Sequence, residues 1–217
     1  MRGDSPPIRG AEAQLQTFFV HYFLCPLMTS LLETQRLIIR RWIPEIDAKQ
    51  VFQIYGDAEV MRFIGTGKTE ASIETQRRSL EAAIERYKQG NNTTTGAWAI
   101  VEKESSTVVG TILLNQLPDI NRQPTEDYEV GWHLRKASWS KGYASEAARG
   151  IIDYGFNILQ LPVIYAVVKP ENHASVKVTQ RLGMTPLGIT NRYYDGVELL
   201  LFKIDSQENK SKMRFND

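Results

Sequence analysis

Residues Trp139 to Ala147 read Trp-Ser-Lys-Gly-Tyr-Ala-Ser-Glu-Ala, directly before the most regular pattern in the chain. From Tyr143 to Leu159, apolar pairs recur every four residues, which predicts a helix packed on a core by one face. A helix start exposes unpaired N–H groups and the positive end of the helix dipole. A glycine turn at Gly142 would let a phosphate approach the main chain there. The stretch indicates either a phosphate-binding loop or an ordinary turn.

The common phosphate-binding patterns are absent from the sequence. There is no G-x-x-x-x-G-K-[ST] run, which excludes a P-loop, and no G-x-G-x-x-G run, which excludes a dinucleotide-binding turn. The segment before the loop, Tyr128 to Leu134, alternates with period two and predicts a strand. Its two predicted faces carry Tyr128, Val130, Trp132 and Leu134 on one side, and Glu129, Gly131 and His133 on the other.

The rest of the chain alternates between strand and helix patterns. We predict a helix that opens at Pro44 with Ile46 among its apolar members, because proline is tolerated in a first helical turn. A loop is expected from Leu117 to Thr125. Asn172 is a plausible N-cap for the last helix, and Gly183 lies just past its end. The predicted strands cover 36–42, 97–101, 108–114, 128–134, 163–168, 185–192 and 196–204, and the further helices cover 69–89, 143–159 and 172–182.

The amino-acid composition limits the classes of protein to which this chain can belong. The chain has 217 residues, and its 26 Lys and Arg nearly balance its 25 Asp and Glu, giving a net charge of +1. Nucleic-acid binding usually requires a clustered basic surplus, so we expect no nucleic-acid partner. The single cysteine, Cys25, cannot form an internal disulfide, and no metal-ligand spacing occurs. We expect a cytoplasmic protein without a bound metal, either monomeric or homodimeric.

The sequence divides into one domain and two extensions. Residues 1–29 contain a short apolar run, Phe18 to Leu24, that is too short to span a bilayer, so no membrane partner is expected. We interpret 1–29 as a poorly structured or artefactual extension, with a signal peptide as the alternative. A single folded domain is expected over 30–205, followed by a mobile polar tail over 206–217.

Three separated motifs resemble one family. Trp139 to Ala147 resembles the pyrophosphate loop of the Gcn5-related N-acetyltransferase (GNAT) superfamily, [QR]-x-x-G-x-[GA], in the branch of ribosomal-protein N-terminal acetyltransferases (RimJ/RimL-like). Gly142 and Ala144 occupy the two positions that the family pattern gives to small residues. Trp139 stands where the pattern has Gln or Arg, and tryptophan is common at that position in this branch. Glu129 to Leu134 resembles the family's central strand, and Asn172 to Met184 its N-x-x-S…LGF segment.

The resemblance implies an α/β (α+β) fold, with a mixed twisted sheet of six to seven strands flanked by about four helices. It implies acetyl-CoA as cosubstrate and a primary amine as acceptor, on a small molecule or a protein N-terminus. Glu129 is the candidate base, and Ser175 the candidate donor to the CoA sulfur. Many superfamily members use a Tyr seven residues after the Asn, but Thr179 stands there. The alternative is a non-catalytic acyl-CoA-binding or regulatory module on the same fold.

The resemblance also implies a cofactor-binding set made of the central strand, the loop and the start of the last helix. Its members are Val130, Gly131, Trp132, His133, Leu134, Trp139, Ser140, Lys141, Gly142, Tyr143, Ala144, Ser145, Asn172 and Ser175.

Overall fold

The computed structural model describes residues 30–90 and 94–206, which form a single mixed sheet with helices on both faces. Within these ranges the sheet has eight strands in the order β1-β2-β3-β4-β5-β6-β8-β7. Only β5 and β6 pair in parallel, and every other neighbouring pair is antiparallel. The expected mixed sheet with flanking helices is confirmed, with slightly more strands than expected.

The elements follow the alternation of the sequence. The strands are β1 (Ser30–Glu33), β2 (Leu37–Arg40), β3 (Gly96–Glu102), β4 (Thr107–Pro118), β5 (Pro124–Leu134), β6 (Val163–Val168), β7 (Thr185–Thr190) and β8 (Leu199–Asp205). The helices are α1 (Pro44–Tyr55), α2 (Ala58–Met61), α3 (Ile73–Gln89), α4 (Tyr143–Asn157) and α5 (His173–Arg181). Strand β1 and helix α2 were not expected, because four residues are too few to show a period.

Two apolar layers hold the helices on the sheet. The larger layer packs α4 and α5 against one face, and it includes Trp98, Ile112, Val130, Ile151 and Phe156. The smaller layer packs α1 and α3 against the opposite face through residues such as Val51 and Leu80. Strand β5 therefore lies between two helical layers, and its alternating side chains reach different environments.

Three local expectations were wrong. The helix expected from residue 69 begins at Ile73, because Ser72 and Thr75 form a reciprocal capping box there. Ile46, expected on the apolar face of α1, is 56% exposed, whereas its neighbour Asp47 is fully buried against Arg40. The loop expected over 117–125 is shorter, because β4 and β5 pair as far as Pro118 and Pro124.

Two of the expected domain boundaries fall largely outside the described residues. The expected N-terminal extension over 1–29, which contains Cys25, lies outside the described residues, and so does the expected tail beyond Ser206. No helix between residues 30 and 206, apart from the undescribed 91–93, is long and apolar enough to cross a bilayer. Over the same residues, no group of three or more His, Cys, Asp or Glu side chains is arranged to hold a metal ion.

Candidate active site

A gap opens between the two parallel strands at the centre of the sheet. Strands β5 and β6 share one registered pair, Glu129 with Tyr165, although β5 continues to Leu134 and β6 to Val168. Beyond Glu129, β5 is paired on its other side with β4 as far as Leu134. The edge of β5 that faces the gap therefore offers main-chain N–H and C=O groups to a ligand.

The alternation predicted for β5 is confirmed. Val130 is buried in the larger apolar layer, with Trp132 and Leu134 packed against that layer. Glu129 and His133 face the opposite side, where each meets a tyrosine from another part of the chain. Gly131 lies between them, and a Cβ there would meet the Leu113 side chain at 3.1 Å. A larger residue at this position would therefore press on the Leu113 side chain.

Glu129 is a buried carboxylate with one tyrosine partner. Glu129 is 7% exposed, and its Oε1 accepts a hydrogen bond from the Tyr194 hydroxyl. Burial raises the pKa of Glu129 to about 7, because the charged form loses water, and the Tyr194 hydrogen bond opposes that rise. Near neutral pH this carboxyl can therefore both hold and accept a proton, which suits a general base.

Tyr194 is a neighbour of Glu129 that the sequence did not reveal. It belongs to the turn between β7 and β8, where Tyr194 and Asp195 have φ angles of 49° and 61°. Arg122 donates two hydrogen bonds to the Asp195 carboxylate, at 2.8 and 2.7 Å, and thereby ties this turn to the β4–β5 hairpin. The Tyr193 hydroxyl donates to Asp127 Oδ2 at 2.6 Å. These contacts hold Tyr194 over the carboxylate.

His133 belongs to a separate hydrogen-bonded group. Its Nδ1 lies 3.1 Å from the Tyr55 hydroxyl, which lies 2.8 Å from Thr111 Oγ1. Burial lowers the pKa of His133 to about 4 and raises that of Tyr55 to about 12. Both side chains are therefore neutral at pH 7, and His133 is a weaker base there than Glu129.

The loop before α4 has the geometry of an anion-binding turn. Ser140 and Gly142 adopt positive φ angles of 62° and 82°, and Ser140, Lys141 and Gly142 are exposed. No side chain caps the start of α4, so its first N–H groups are available to a ligand. Lys141 adds a positive charge beside them. The buried Tyr143 and Ala144 can contribute only main-chain groups.

Hydrogen bonds from two side chains, Trp139 and Arg36, hold this loop in place. The Trp139 indole Nε1 donates to the Leu134 carbonyl at 3.0 Å, which ties the loop to the end of β5. The Arg36 guanidinium donates to the Lys141 carbonyl at 3.0 Å and to Glu146 Oε2 at 2.7 Å. Burial would raise the pKa of Glu146, but hydrogen bonds from Thr34 and Arg36 outweigh it and lower that pKa. Nothing in the sequence pattern of β2 signalled the Arg36 contact.

The start of α5 carries the remaining candidates. Asn172 is its N-cap, as predicted, and its Oδ1 accepts from the Ser175 main-chain N–H at 3.2 Å. Ser175 is half-buried, and it forms no side-chain hydrogen bond with Glu129 in the part of the chain that the structure describes. Thr179 is buried and donates to the Val176 carbonyl at 2.8 Å, which is a local helix contact.

Comparison with known proteins gives one consistent result. A family model described as an acetyltransferase (GNAT) domain matches residues 36–185. An uncharacterized N-acetyltransferase from Bacillus subtilis, YoaA, is 32% identical over 168 residues, which cover 76% of this chain and 89% of YoaA.

Solved structures share the fold. A GNAT-family acetyltransferase from Bacillus anthracis superposes with a TM-score of 0.66 at 24% identity, covering 82% of this chain and 99% of that one. RimL, a ribosomal L7/L12 alpha-N-protein acetyltransferase solved in complex with coenzyme A, superposes with a TM-score of 0.65 at 14% identity, covering 83% of this chain and 99% of RimL. At these identities the structural likeness concerns the fold.

Proposed function

This chain belongs to the GNAT family of acetyltransferases, and we propose that it acetylates a primary amine by direct attack on acetyl-CoA in a ternary complex. Membership makes it an acetyl-CoA-dependent N-acyltransferase. Measurable turnover of acetyl-CoA separates this function from the alternative, a non-catalytic acyl-CoA-binding or regulatory module on the same fold. The observation that carries the finer proposal is Glu129, a buried carboxyl with a pKa of about 7 at the only registered β5–β6 pair of the described chain.

In this proposal acetyl-CoA lies across the loop and along the gap between β5 and β6. The pyrophosphate binds the main-chain N–H groups at the start of α4, near Ser140, Gly142 and Ser145, with Lys141 close by. The pantetheine arm pairs with the edge of β5 that faces the gap, from Val130 to Leu134, much as another strand would. RimL, which shares the fold, has been solved with coenzyme A, and this supports the assignment.

The chemistry needs only a few groups. The neutral amine nitrogen attacks the thioester carbonyl carbon, forming an N–C bond, and the C–S bond breaks as the intermediate collapses. Glu129 accepts the proton that the amine nitrogen loses, and this proton later returns to solvent. The Ser175 hydroxyl donates a hydrogen bond to the departing sulfur, which leaves as thiolate and is then protonated. The products are an N-acetylated amine and the CoA thiol.

Asn172 and Ser175 have more modest parts in this proposal. The Asn172 side chain caps α5 and orients the first turn that carries Ser175. We expect Ser175→Ala to lower kcat less than loss of the base, because a thiolate leaves readily without a donor. Thr179 has no part, because its hydroxyl is buried within the helix.

The experiment is an acceptor screen with detection of the released thiol. The panel contains peptides with a free N-terminus, aminoglycosides, polyamines, amino acids and small aryl- and alkylamines. We expect thiol release that requires an amine, and intersecting double-reciprocal plots when both substrates are varied. Parallel plots, together with acetyl-enzyme formed in the absence of amine, would instead indicate a covalent intermediate. Release without any amine dependence would contradict the proposal as a whole.

A further inference from the structure

A large cavity lies on the face of the sheet that carries Glu129 and His133. It has a volume of about 590 Å³ and lies between the helices α1 and α3, the segment that follows β2, and the strands β3 and β4. This is the size of cavity that encloses a small organic ligand. Most of its surface is apolar, formed by three aromatic side chains, Trp42, Tyr55 and Tyr87, and by aliphatic ones such as Ile64 and Ile84.

One end of the cavity lies beside the gap between β5 and β6. Met61 and Ile64 line the cavity, and the segment around them is anchored at both strand ends. Glu59 accepts a short hydrogen bond from Lys136, just after β5, and the Gly65 carbonyl accepts from Lys169, just after β6, at 3.4 Å. A ligand in the cavity can therefore direct one end toward the proposed thioester position.

A second link between the cavity and β5 is the Tyr55 side chain. Tyr55 lines the cavity, and its hydroxyl lies 3.1 Å from His133 Nδ1. Thr111, the other partner of that hydroxyl, also lines the cavity. The wall nearest the strand that carries Glu129 is therefore neutral, because burial keeps Tyr55 and His133 uncharged at pH 7.

One polar group in the lining lacks a partner. Gln76, on α3, is 3% exposed, and its Oε1 has no hydrogen bond among residues 30–90 and 94–206. A buried amide oxygen without a partner is unfavourable, so a donor on a ligand would stabilise the complex after a small rotation of this amide. The remaining polar lining includes two cationic side chains, Arg41 and Lys88, and one carboxylate, Glu70. This charge balance does not favour a polycation.

We propose that this cavity binds the body of the acceptor, and that the acceptor is a small primary amine attached to a bulky apolar group, such as an arylalkylamine. The inference rests on the proposed function, because the amine must point toward acetyl-CoA. The apolar group fills the space between α1, α3 and the sheet, and a hydroxyl or N–H on that group donates to the Gln76 amide. Among the described residues the lining has a single carboxylate, Glu70, which disfavours polyamines as the acceptor.

The test compares matched amines by kcat/KM with acetyl-CoA. We expect phenethylamine to exceed ethylamine by about 100-fold or more, because each buried methylene is worth roughly tenfold, and to exceed spermidine as well. Tyramine should exceed phenethylamine by about fivefold through the hydrogen bond to Gln76, and Gln76→Leu should abolish that preference. Equal turnover of ethylamine and phenethylamine, preference for spermidine, or acetylation confined to peptides would overturn the inference and leave the proposed function intact.

Two neighbouring alanines on α3 provide a matched pair of variants. Ala83 lines the cavity, whereas Ala82 is exposed and lies outside the lining. Ala83→Phe should fill the cavity and lower kcat/KM for phenethylamine at least tenfold, and Ala82→Phe should change it by less than twofold. Both variants should show the wild-type circular dichroism spectrum. A similar kcat/KM in both variants would overturn the inference.

A binding measurement separates this inference from the proposed function. Calorimetry with phenethylamine and CoA reports the cavity without any chemical step. Binding that is retained in Ala82→Phe and lost in Ala83→Phe supports the cavity as the binding site of an apolar amine. If no amine is then acetylated, the proposed function fails while the cavity site stands. Absence of phenethylamine binding to the wild-type protein would overturn the inference.

Discussion

At the scale of single residues, the reactivity that we propose for this site depends on what surrounds one carboxyl group. Glu129 faces away from the larger apolar layer, yet it is nearly inaccessible to water because the turn between β7 and β8 covers it. Burial raises its pKa to about 7. A base with a pKa near the working pH is deprotonated in a large fraction of the molecules and is still basic enough to accept a proton readily.

The first prediction concerns Glu129→Gln. The wild-type kcat/KM should rise with pH through about 7, because the base works only when deprotonated and is protonated below that pKa. Glu129→Gln should remove this inflection and lower kcat by about 10²- to 10⁴-fold, with acetyl-CoA binding nearly unchanged. High pH should partly restore the rate, because more amine is then neutral. A variant with wild-type kcat/KM across the range would remove Glu129 from the mechanism.

Tyr194→Phe provides a companion variant for the same measurement. The Tyr194 hydroxyl stabilises the carboxylate form of Glu129, so its removal should raise the pKa of Glu129 further. The inflection in the pH profile should therefore move to higher pH. An inflection that moves to lower pH would contradict a stabilising hydrogen bond from Tyr194 to the carboxylate.

At the scale of elements, the loop before α4 combines an exposed main chain with firm anchoring. Trp139 ties it to the end of β5, and Arg36 ties it to β2 and to Glu146 in the first turn of α4. Gly142 has a φ of 82°, and the nearest atom to a Cβ there would be Arg36 Nη2 at 3.4 Å. The loop is therefore held in a shape that presents N–H groups to an anion.

The prediction at this scale is that Gly142→Glu weakens CoA binding at least tenfold, a change of about 1.4 kcal/mol or more. The carboxylate places bulk and negative charge where the pyrophosphate is proposed to bind. Gly188→Glu is the matched control, because Gly188 also has a positive φ, of 92°, and open space around it, but lies on β7. Calorimetry should show wild-type affinity for the control. Equal affinities for both folded variants would exclude the loop as the phosphate site.

At the scale of the whole molecule, a buried ion pair attaches the α1–α3 layer to the sheet. Arg40 on β2 donates two hydrogen bonds to Asp47 on α1, at 2.7 and 2.8 Å, and the Ile43 N–H donates to the same carboxylate at 2.8 Å. The Asp47 side chain is fully buried. The position of the cavity depends on this attachment, since α1 forms one of its walls.

We predict that Asp47→Asn lowers the free energy of unfolding by about 3–5 kcal/mol, because it leaves the Arg40 charge buried without a counterion. For a domain of this size the thermal midpoint should fall by roughly 6–20 °C. Glu104→Gln, on an exposed turn, is the control and should change stability by less than about 0.5 kcal/mol. The measurement is the thermal unfolding midpoint of both variants. A midpoint for Asp47→Asn equal to that of the control would refute a stabilising role for the Arg40–Asp47 ion pair.

Local patterns in the sequence determined the elements and the reactive stretch. The apolar stripe predicts α4, the period-two alternation assigns Glu129 and His133 to one face of β5, and Asn172 caps α5 as expected. These features depend on residues a few positions apart, so propensity, periodicity and capping are enough to predict them. The motifs in the loop and the central strand were sufficient to identify the family.

Only the tertiary structure decided what surrounds those residues. Tyr194 meets Glu129 across 65 positions, Tyr55 meets His133 across 78, and Arg36 meets Glu146 across 110. The cavity likewise requires α1, α3, the segment after β2 and the strands β3 and β4 to meet. The pKa of a carboxyl depends on its loss of water and on its partners, and neither is encoded within one strand. Chain packing therefore gave Glu129, the candidate base of the sequence, its raised pKa, and it gave the α1–α3 side of the sheet an apolar cavity.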